Sequence, residues 1–347
     1  MKEVKYRPKG LTLAICTYNG KLKLEKTLEH ILVQQVDSSI AWELLVIDNA
    51  STDNTSDFIY QIWPDDRLHE IRIIREEKLG AIHARQRAIR EAKYSYLSYV
   101  DDDNWISYNW VTEVYKIFES YPTVGIISCP STASLSETPP EYFEMVKGWL
   151  AIGSQCKESG LIHKRPISFW TAGCSFRLVA FDVLQNSGFK PCLTGRKGLR
   201  PLGGEDHELC LILTMCGWDV YFSHEISFKH QIPNSRLQID YLKYFILSSV
   251  RCKVILDIYR EYYNQQMITP VPLKLFYYLF EFLSRFIALI VKQKILFRQD
   301  IFPNYISLMM SKGALLGYFD HFSDTQQAIK NIKIAEAIKQ KNSLIQI

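Results

Sequence analysis

Short apolar runs alternate with stretches of helical spacing over the first 130 residues. Leu11 to Thr17 (LTLAICT) is apolar and stops at the turn signal Tyr18-Asn19-Gly20. Leu24, Leu28, Ile31 and Leu32 then recur at helical spacing. The run LLVI at 44–47 ends at Asp48, and a Ser/Thr/Asp/Asn cluster at 49–56 leads into a second helix. A strand at 71–75, a basic-faced helix at 81–93 and a strand at 96–100 follow. A helix from about 105 to 120 and a strand at 124–129 complete the series. This alternation predicts an α/β fold with a parallel, doubly wound sheet and right-handed crossovers. Such sheets bind ligands at the carboxyl ends of their strands. The polar clusters at 17–20, 48–53 and 101–103 all fall there, which makes them one candidate site.

The pattern then changes. Residues 131–165 are Pro/Ser/Glu-rich and then mixed, and predict a loop with a helix around 142–151. A strand at 167–177 contains Gly173, and a Gly/Arg/Lys-rich loop at 194–204 precedes a helix starting near Glu205. From Asp240 onward the spacing is helical and the composition rich in Tyr, Phe and Leu.

Composition narrows the function classes. Of 347 residues, 47% are hydrophobic and 22% charged, as in a globular protein and unlike a disordered one. The net charge of +4 comes without a Lys/Arg block, which argues against nucleic acid as partner. The eight Cys form no CxxC pair, so zinc-ribbon spacing is absent; Cys16 and Cys129, within apolar runs, read as small buried hydrophobes. Residues 1–10 are polar and basic with no signal-peptide pattern, so a cytoplasmic location with reduced thiols is expected.

Four segments carry candidate chemistry. Asp101-Asp102-Asp103 directly follows the strand YLSYV. Clustered carboxylates repel, and a divalent cation among them relieves the cost. Mg²⁺ and Mn²⁺ take oxygen ligands, usually one or two carboxylates plus phosphate. The alternative is a solvated helix start capped by Asp103 or Asn104. In DNASTD at 48–53, Asp48 suits a base or ribose; alternatively the cluster caps the next helix through Ser51, Thr52 or Asp53. GGEDHE at 203–208 opens a helix, where glycines permit close ligand approach and Asp206 suits a general base. Acids there also simply complement the helix dipole. His230, in FKHQIP, is either a structural imidazole or a further metal contact beside Asp103.

Together these residues resemble the family 2 glycosyltransferases of the GT-A fold, over about residues 10–240. CTYNG (16–20), LLVIDNASTDNT (44–55), LGAIHAR (79–85), YVDDDNW (99–105) and GGEDHELC (203–210) carry the resemblance, in that order. WTAGCSFR (170–177) and the His of FKHQIP fit its later part, and HQIPNSRLQIDYL looks like the bacterial branch that builds capsular and other surface polysaccharides. The resemblance implies a Rossmann-like, mixed, mostly parallel sheet flanked by helices, with a helical C-terminal region. It implies a catalytic domain over 1–240, with nucleotide-sugar binding at about 10–130 and the acceptor and base part at about 131–240. Residues 241–347 would form the helical region. Thr17, Tyr18, Asn19, Asp48, Arg85, Asp101 and Asp102 would bind the nucleotide sugar, with Gly173 and Glu205 near the sugar. Asp103 and His230 would hold Mg²⁺ or Mn²⁺, and Asp206 would be the catalytic base. The chain departs from the family pattern at Asn49, Ala50, Lys78, Gln86 and Ala88.

The implied reaction is inverting transfer from a nucleotide sugar, with UDP as the expected nucleotide, to a saccharide or lipid-linked acceptor. Residues 271–298 are apolar but carry Lys274, Glu281 and Arg285, so no uncharged run approaches the roughly 20 residues of a spanning helix. The segment reads equally as a core helix or as one lying on a membrane surface, with Lys292, Lys294 and Arg298 toward anionic lipid. Two rival functions share the strand-end aspartates. A nucleotidyltransferase favours a Gly-rich basic loop after its first strand, which CTYNG is not. A non-catalytic nucleotide-sugar-binding partner has no need of both Asp103 and Asp206.

Overall fold

The apolar runs fold as strands because each is covered on both faces. A computed structural model of the chain describes residues 5–63, 70–162, 169–193, 203–292 and 302–345. Strands β1 (Leu11–Thr17), β2 (Trp42–Asp48), β3 (Glu70–Arg75) and β4 (Tyr96–Asp101) are parallel and lie in the order β3-β2-β1-β4. Every residue of β2 is buried, and all of β1 except half-buried Cys16. Continuous apolar strands of this kind are typical of covered parallel sheets. Helices α1 (Lys21–Leu32), α2 (Thr55–Ile62) and α3 (Ala81–Glu91) alternate with these strands along the chain.

Beyond β4 the sheet becomes mixed. The short strand β9 (Ser175–Arg177) runs antiparallel between β4 and β6 (Val124–Ser128). β10 (Asp219–Phe222) lies parallel to β6, and β8 (Gly160–Ile162) closes the edge antiparallel to β10. The expected strand over 167–177 is thus observed only at 175–177, its first two residues lying outside the described ones. The loop expected at 194–204 also lies outside them up to residue 202.

One expectation fails in a way that matters for the site. No helix begins at Trp105. Asn104–Ile106 is instead a strand, β5, and the helix α4 starts at Trp110 and ends at Ser120. The N-cap reading of Asp103 and Asn104 falls with it. β5 pairs antiparallel with β11 (Phe228–Ile232), which pairs parallel with β7 (Ser131–Leu135), a strand that the Pro/Ser-rich composition concealed. Capping of α2 also differs from expectation. Its N-cap is Asn54, left-handed at φ 60°, and neither Ser51 nor Thr52 caps it; Asp53 accepts the Thr55 N–H at 3.1 Å.

The predicted helix near 142–151 is a short α5 (Phe143–Val146) continued by a 3₁₀ turn to Leu150. α6 (Leu178–Asn186) and α7 (Glu205–Met215) pack into a core shared with the far end of the chain. That end is all helical among the described residues: α8 (Ile239–Ser249), α9 (Lys253–Tyr263), α10 (Val271–Ile290), α11 (Phe302–His321) and α12 (Thr325–Ile345). α9 and α12 both pack on α7. One apolar cluster therefore runs from Ala14 and Leu45 in the sheet through Leu211 to Tyr259 and Ile332.

All eight cysteines are free and six are buried, in keeping with their reading as small hydrophobes. Burial pushes the thiols of Cys16, Cys210, Cys216 and Cys252 up to about 12. At pH 8 such a group is ionised to about one part in 10⁴, and the thiolate is the reacting species. Brief alkylation of the native protein at pH 8 is therefore expected to label partly exposed Cys156 and spare the others until denaturant is added. Peptide mass spectrometry reads the outcome; fast native labelling of Cys129 or Cys174 would contradict the packing.

Candidate active site

The strand ends assemble the site. β1 delivers Thr17, β2 delivers Asp48 and β4 delivers Asp101. Register explains why they meet: Thr17 pairs with Asp48 and Cys16 with Asp101. Thr17 Oγ1 donates to Asp102 Oδ2 at 2.8 Å, which ties the first strand to the aspartate cluster.

The three aspartates are electrostatically distinct. Burial is the main influence on Asp101 and raises it; nearby Asp103 adds to the rise and the Arg85 guanidinium opposes it. Burial likewise pushes Asp102 up to about 6, against the pull of Lys23, whose Nζ lies 3.7 Å away. Asp103 goes the other way. Burial opposes its charge, but His230 and Arg236 outweigh that and hold it below the usual carboxylate range. His230 Nε2 lies 3.5 Å from Asp103 Oδ1, and Arg236 Nη1 lies 3.6 Å from Oδ2.

The small sheet creates this contact. His230 sits opposite Asn104 in the β11–β5 register, and Gln231 N donates to Asp103 O at 2.9 Å. His230 Nδ1 lies 3.0 Å from the Leu150 carbonyl. A carbonyl only accepts, so Nδ1 carries a proton, and Nε2 is left facing both Asp103 and Arg236 Nη1, which lies 3.5 Å from it. That guanidinium, also 3.6 Å from Asp103 Oδ2, already supplies a cation to this pair, at a place where a metal ion would compete with it. Among the described residues no three His, Cys, Asp or Glu side chains converge on a metal position. A site with two protein ligands suits Mg²⁺ or Mn²⁺, which keep waters and phosphate oxygens in the remaining positions.

Asp101, Asp102, Asp103, Arg85, His230 and Asp206 all line one cavity of about 330 Å³. A wider groove of about 630 Å³ adjoins it, shared through Arg85 and Asp206 and walled by Trp149, Trp170 and Phe245. Asp206 stands at the start of α7, behind Gly204 at φ +104°. A side chain at Gly204 would lie 2.6 Å from Cys252 Sγ, so the position needs glycine for both backbone and space. Asp206 Oδ1 accepts the His207 N–H at 2.9 Å, and Oδ2 the Thr171 N–H at 3.4 Å. Glu205 Oε1, not Asp206, faces Arg85 Nη1 at 3.4 Å. Burial disfavours the Arg85 charge, but Asp101, Glu205 and Asp206 together raise it well above its ordinary value.

Tyr18, Asn19 and Asp48 lie apart from that cavity. Tyr18 is 51% exposed. Asn19, at φ 51°, accepts the Thr52 N–H at 2.8 Å. Asp48 is buried; Oδ1 accepts the Ser51 N–H at 2.8 Å and Oδ2 the Ser56 hydroxyl at 2.6 Å. Burial opposes its charge, yet these bonds and Arg75 leave it below the usual range. Gly173, at φ +72°, has a packing reason to be glycine, since a Cβ there would meet Phe228 Cε1 at 2.4 Å.

Sequence reading missed four groups. Asn49 stood out only as a departure from the family pattern. It donates to the Glu76 and Lys78 carbonyls at 3.1 and 2.8 Å and accepts the Gly80 N–H at 2.8 Å, fixing the loop that leads to Arg85. Arg236 and Trp170 lay inside the segments HQIPNSRLQIDYL and WTAGCSFR without being singled out, and Trp149 and Phe245 carried no pattern. Glu208 looked like a dipole-complementing acid but is buried and fully bonded. Its Oε1 accepts Cys192 N at 3.0 Å and Tyr259 OH at 2.7 Å, and its Oε2 accepts Leu193 N at 2.7 Å.

The family model described as glycosyl transferase family 2 matches residues 12–188. TuaG of Bacillus subtilis, named as a teichuronic acid biosynthesis glycosyltransferase, is 35% identical over 91 residues, or 26% of this chain and 34% of its own. Poly-beta-1,6-N-acetyl-D-glucosamine synthase of Staphylococcus aureus is 25% identical over 119 residues, or 34% of this chain and 28% of its own. The matches thus span about a third of each curated relative. Among solved structures, the mannosyltransferase PcManGT of Pyrobaculum calidifontis, in complex with GDP-Man and Mn²⁺, superposes with a TM-score of 0.52. That likeness covers 97% of this chain and 88% of the other at 19% identity, and it shows the shared GT-A fold. With its family model spanning half its length, the chain belongs to glycosyl transferase family 2.

Proposed function

We propose that the protein transfers a sugar from a nucleoside diphosphate sugar to a hydroxyl of a saccharide or lipid-linked acceptor, with inversion. One observation carries the reading: Asp206 and the Asp101–Asp103 cluster face the same cavity, so a base and a diphosphate site share one space. Thr17, Tyr18, Asn19, Asp48 and Arg85 would hold the nucleotide, and Asp101, Asp102, Gly173 and Glu205 would lie toward ribose and sugar. Residues of about 10–130 would bind the donor, 131–240 would supply acceptor contacts and base, and 241–347 would support them.

Asp103 and His230 would hold a Mg²⁺ or Mn²⁺ ion, which when bound supplies positive charge to the diphosphate leaving group. Asp206 Oδ2 takes the proton of the acceptor hydroxyl as that oxygen attacks the anomeric carbon. One carboxylate base is enough, because the leaving group needs its charge neutralised and needs no proton; a glycosidase requires two carboxyl groups. Arg236, the cation already beside Asp103, is suited to follow the diphosphate. Trp149, Trp170 and Phe245 offer flat apolar faces to an acceptor ring. The naming of both bacterial relatives supports a role in polysaccharide synthesis, and the family resemblance makes a UDP-sugar the expected donor.

Melting temperatures with a panel of nucleoside diphosphates, with and without Mn²⁺ or Mg²⁺, test the donor site. A ligand present at about 100 times its Kd stabilises the native state by about 2.7 kcal/mol. UDP with metal is expected to raise the melting temperature by several degrees, and UDP alone by much less. No shift with any nucleotide would remove the donor site.

A further inference from the structure

Arg236 stands on the 3₁₀ turn Asn234–Leu237 that follows β11. Its Nη1 lies 3.6 Å from Asp103 Oδ2 and 3.5 Å from His230 Nε2. A well-made charge-assisted bond measures about 2.7–2.9 Å, so the guanidinium stands near both groups and is held tightly by neither. Its side chain is 32% exposed and lines the same cavity as the three aspartates and Asp206. Among the described residues no other hydrogen bond or ion pair holds it. The same two groups are the candidate metal ligands. Mg²⁺ holds its ligands at about 2.1 Å, so two ligands of one ion lie at most about 4.2 Å apart. Asp103 Oδ1 and His230 Nε2, 3.5 Å apart, meet that limit. They cannot serve both cations at once. With a proton on Nδ1 directed at the Leu150 carbonyl, His230 has one lone pair to offer, on Nε2. Either a guanidinium N–H or a metal ion takes it. Asp103 would also have to balance a guanidinium and a divalent ion with a single negative charge.

We propose, on the footing of the metal reading above, that Arg236 is a resident cation that keeps divalent metal off Asp103 and His230 until a diphosphate draws it away. The nucleotide-free protein then carries a charge-balanced pair where an open metal site would otherwise stand. A diphosphate offers the guanidinium paired oxygens for two parallel hydrogen bonds, a better partner than one carboxylate oxygen at 3.6 Å. Metal and diphosphate therefore bind together, and neither binds well alone. Linkage makes the dependence mutual: the factor by which the diphosphate tightens metal is the factor by which metal tightens the diphosphate.

Mn²⁺ binding to the nucleotide-free full chain, read from the loss of the free-ion signal in electron paramagnetic resonance, tests it. Arg236→Gln is expected to tighten Mn²⁺ by at least about tenfold over wild type, since a unit charge leaves the ligand pair itself. Circular dichroism would verify that this partly exposed position tolerates the change. Lys23→Gln is the control for charge alone. Lys23 pairs with Asp102 at 3.7 Å and is 43% exposed. Its removal should tighten Mn²⁺ by less than about threefold, because solvent and salt screen it. Adding Asp103→Asn to Arg236→Gln should abolish the gain, which places the bound ion at Asp103. No tightening in Arg236→Gln, equal tightening in Lys23→Gln, or a gain that survives Asp103→Asn would overturn the proposal. The melting shift with UDP and Mn²⁺ tells its failure from that of the reading beneath it. A metal-dependent shift that persists in the wild type leaves the donor and metal reading standing when Arg236→Gln shows no gain. Absence of that shift in both proteins removes the metal reading, and the proposal with it.

Discussion

Replacing Asp206 by Asn is expected to lower kcat by about 10³-fold, within the range typical of a lost general base. Nucleotide-sugar affinity should stay within a factor of two of wild type (about 0.4 kcal/mol). Asn keeps the size of the side chain and one oxygen for the His207 N–H at 2.9 Å, losing only the longer bond from the Thr171 N–H at 3.4 Å, so the start of α7 is largely preserved. Asn cannot take a proton from the acceptor. The contrast with Asp103→Asn gives the experiment its force. That substitution leaves Asp206 intact but removes charge from the pair facing His230, so metal-dependent donor binding should weaken. Single-turnover rates with labelled donor, beside donor affinity by calorimetry, separate the two effects. Unchanged turnover in Asp206→Asn would end the base assignment, and a lost donor site in that variant would move Asp206 to a binding role.

The aspartate part of the candidate site was legible because it is built on strand ends. Apolar runs broken by Thr17, Asp48 and Asp101 mark where strands stop; of these ends Asp101 lines the cavity and Thr17 bonds Asp102 beside it. The small sheet was not legible. Its β5 is three residues long, too short for periodicity, and Trp105 and Ile106 look like the opening of the helix that follows. Only the long-range pairing with β11 makes it a strand, and that pairing seats His230 against Asp103. Asn49 shows the opposite failing. It stood out only as a departure from the family pattern, whereas the side chain is engaged by backbone groups of the next loop. The 271–298 segment divided evenly between core and membrane because spacing identifies a face without naming its partner. The structure assigns one side of α10 to the protein and leaves the other apolar and exposed.

Glu208 is expected to be the costliest polar side chain to replace in the support of α7. It sits one helical position beyond His207 with 1% exposure, and three donors converge on its carboxylate. Two belong to the backbone at Cys192 and Leu193, and the third is Tyr259 OH. Asn331 Nδ2 in turn donates to the Tyr259 oxygen at 3.0 Å and to the Lys190 carbonyl at 2.8 Å. The network thereby joins α7, the 190–193 segment, α9 and α12. Removing one member of such a network leaves buried donors unpaired, each costing about 1–3 kcal/mol. Glu208→Ala should therefore lower unfolding stability by about 3 kcal/mol. Glu208→Gln should fare little better, because its amide NH₂ must face one of the donors, setting N–H against N–H or O–H. Tyr259→Phe keeps the ring and both backbone bonds to Glu208, so it should cost only about 1–2 kcal/mol. Urea unfolding followed by tryptophan fluorescence ranks the three. The order matters more than any single value: a Glu208→Gln midpoint at or above that of Tyr259→Phe would mean the carboxylate is not the centre of the network. Asp206 lies two residues away on the same helix, so kcat measured on the surviving folded fraction would then show how far the C-terminal helices fix the base as well as the core.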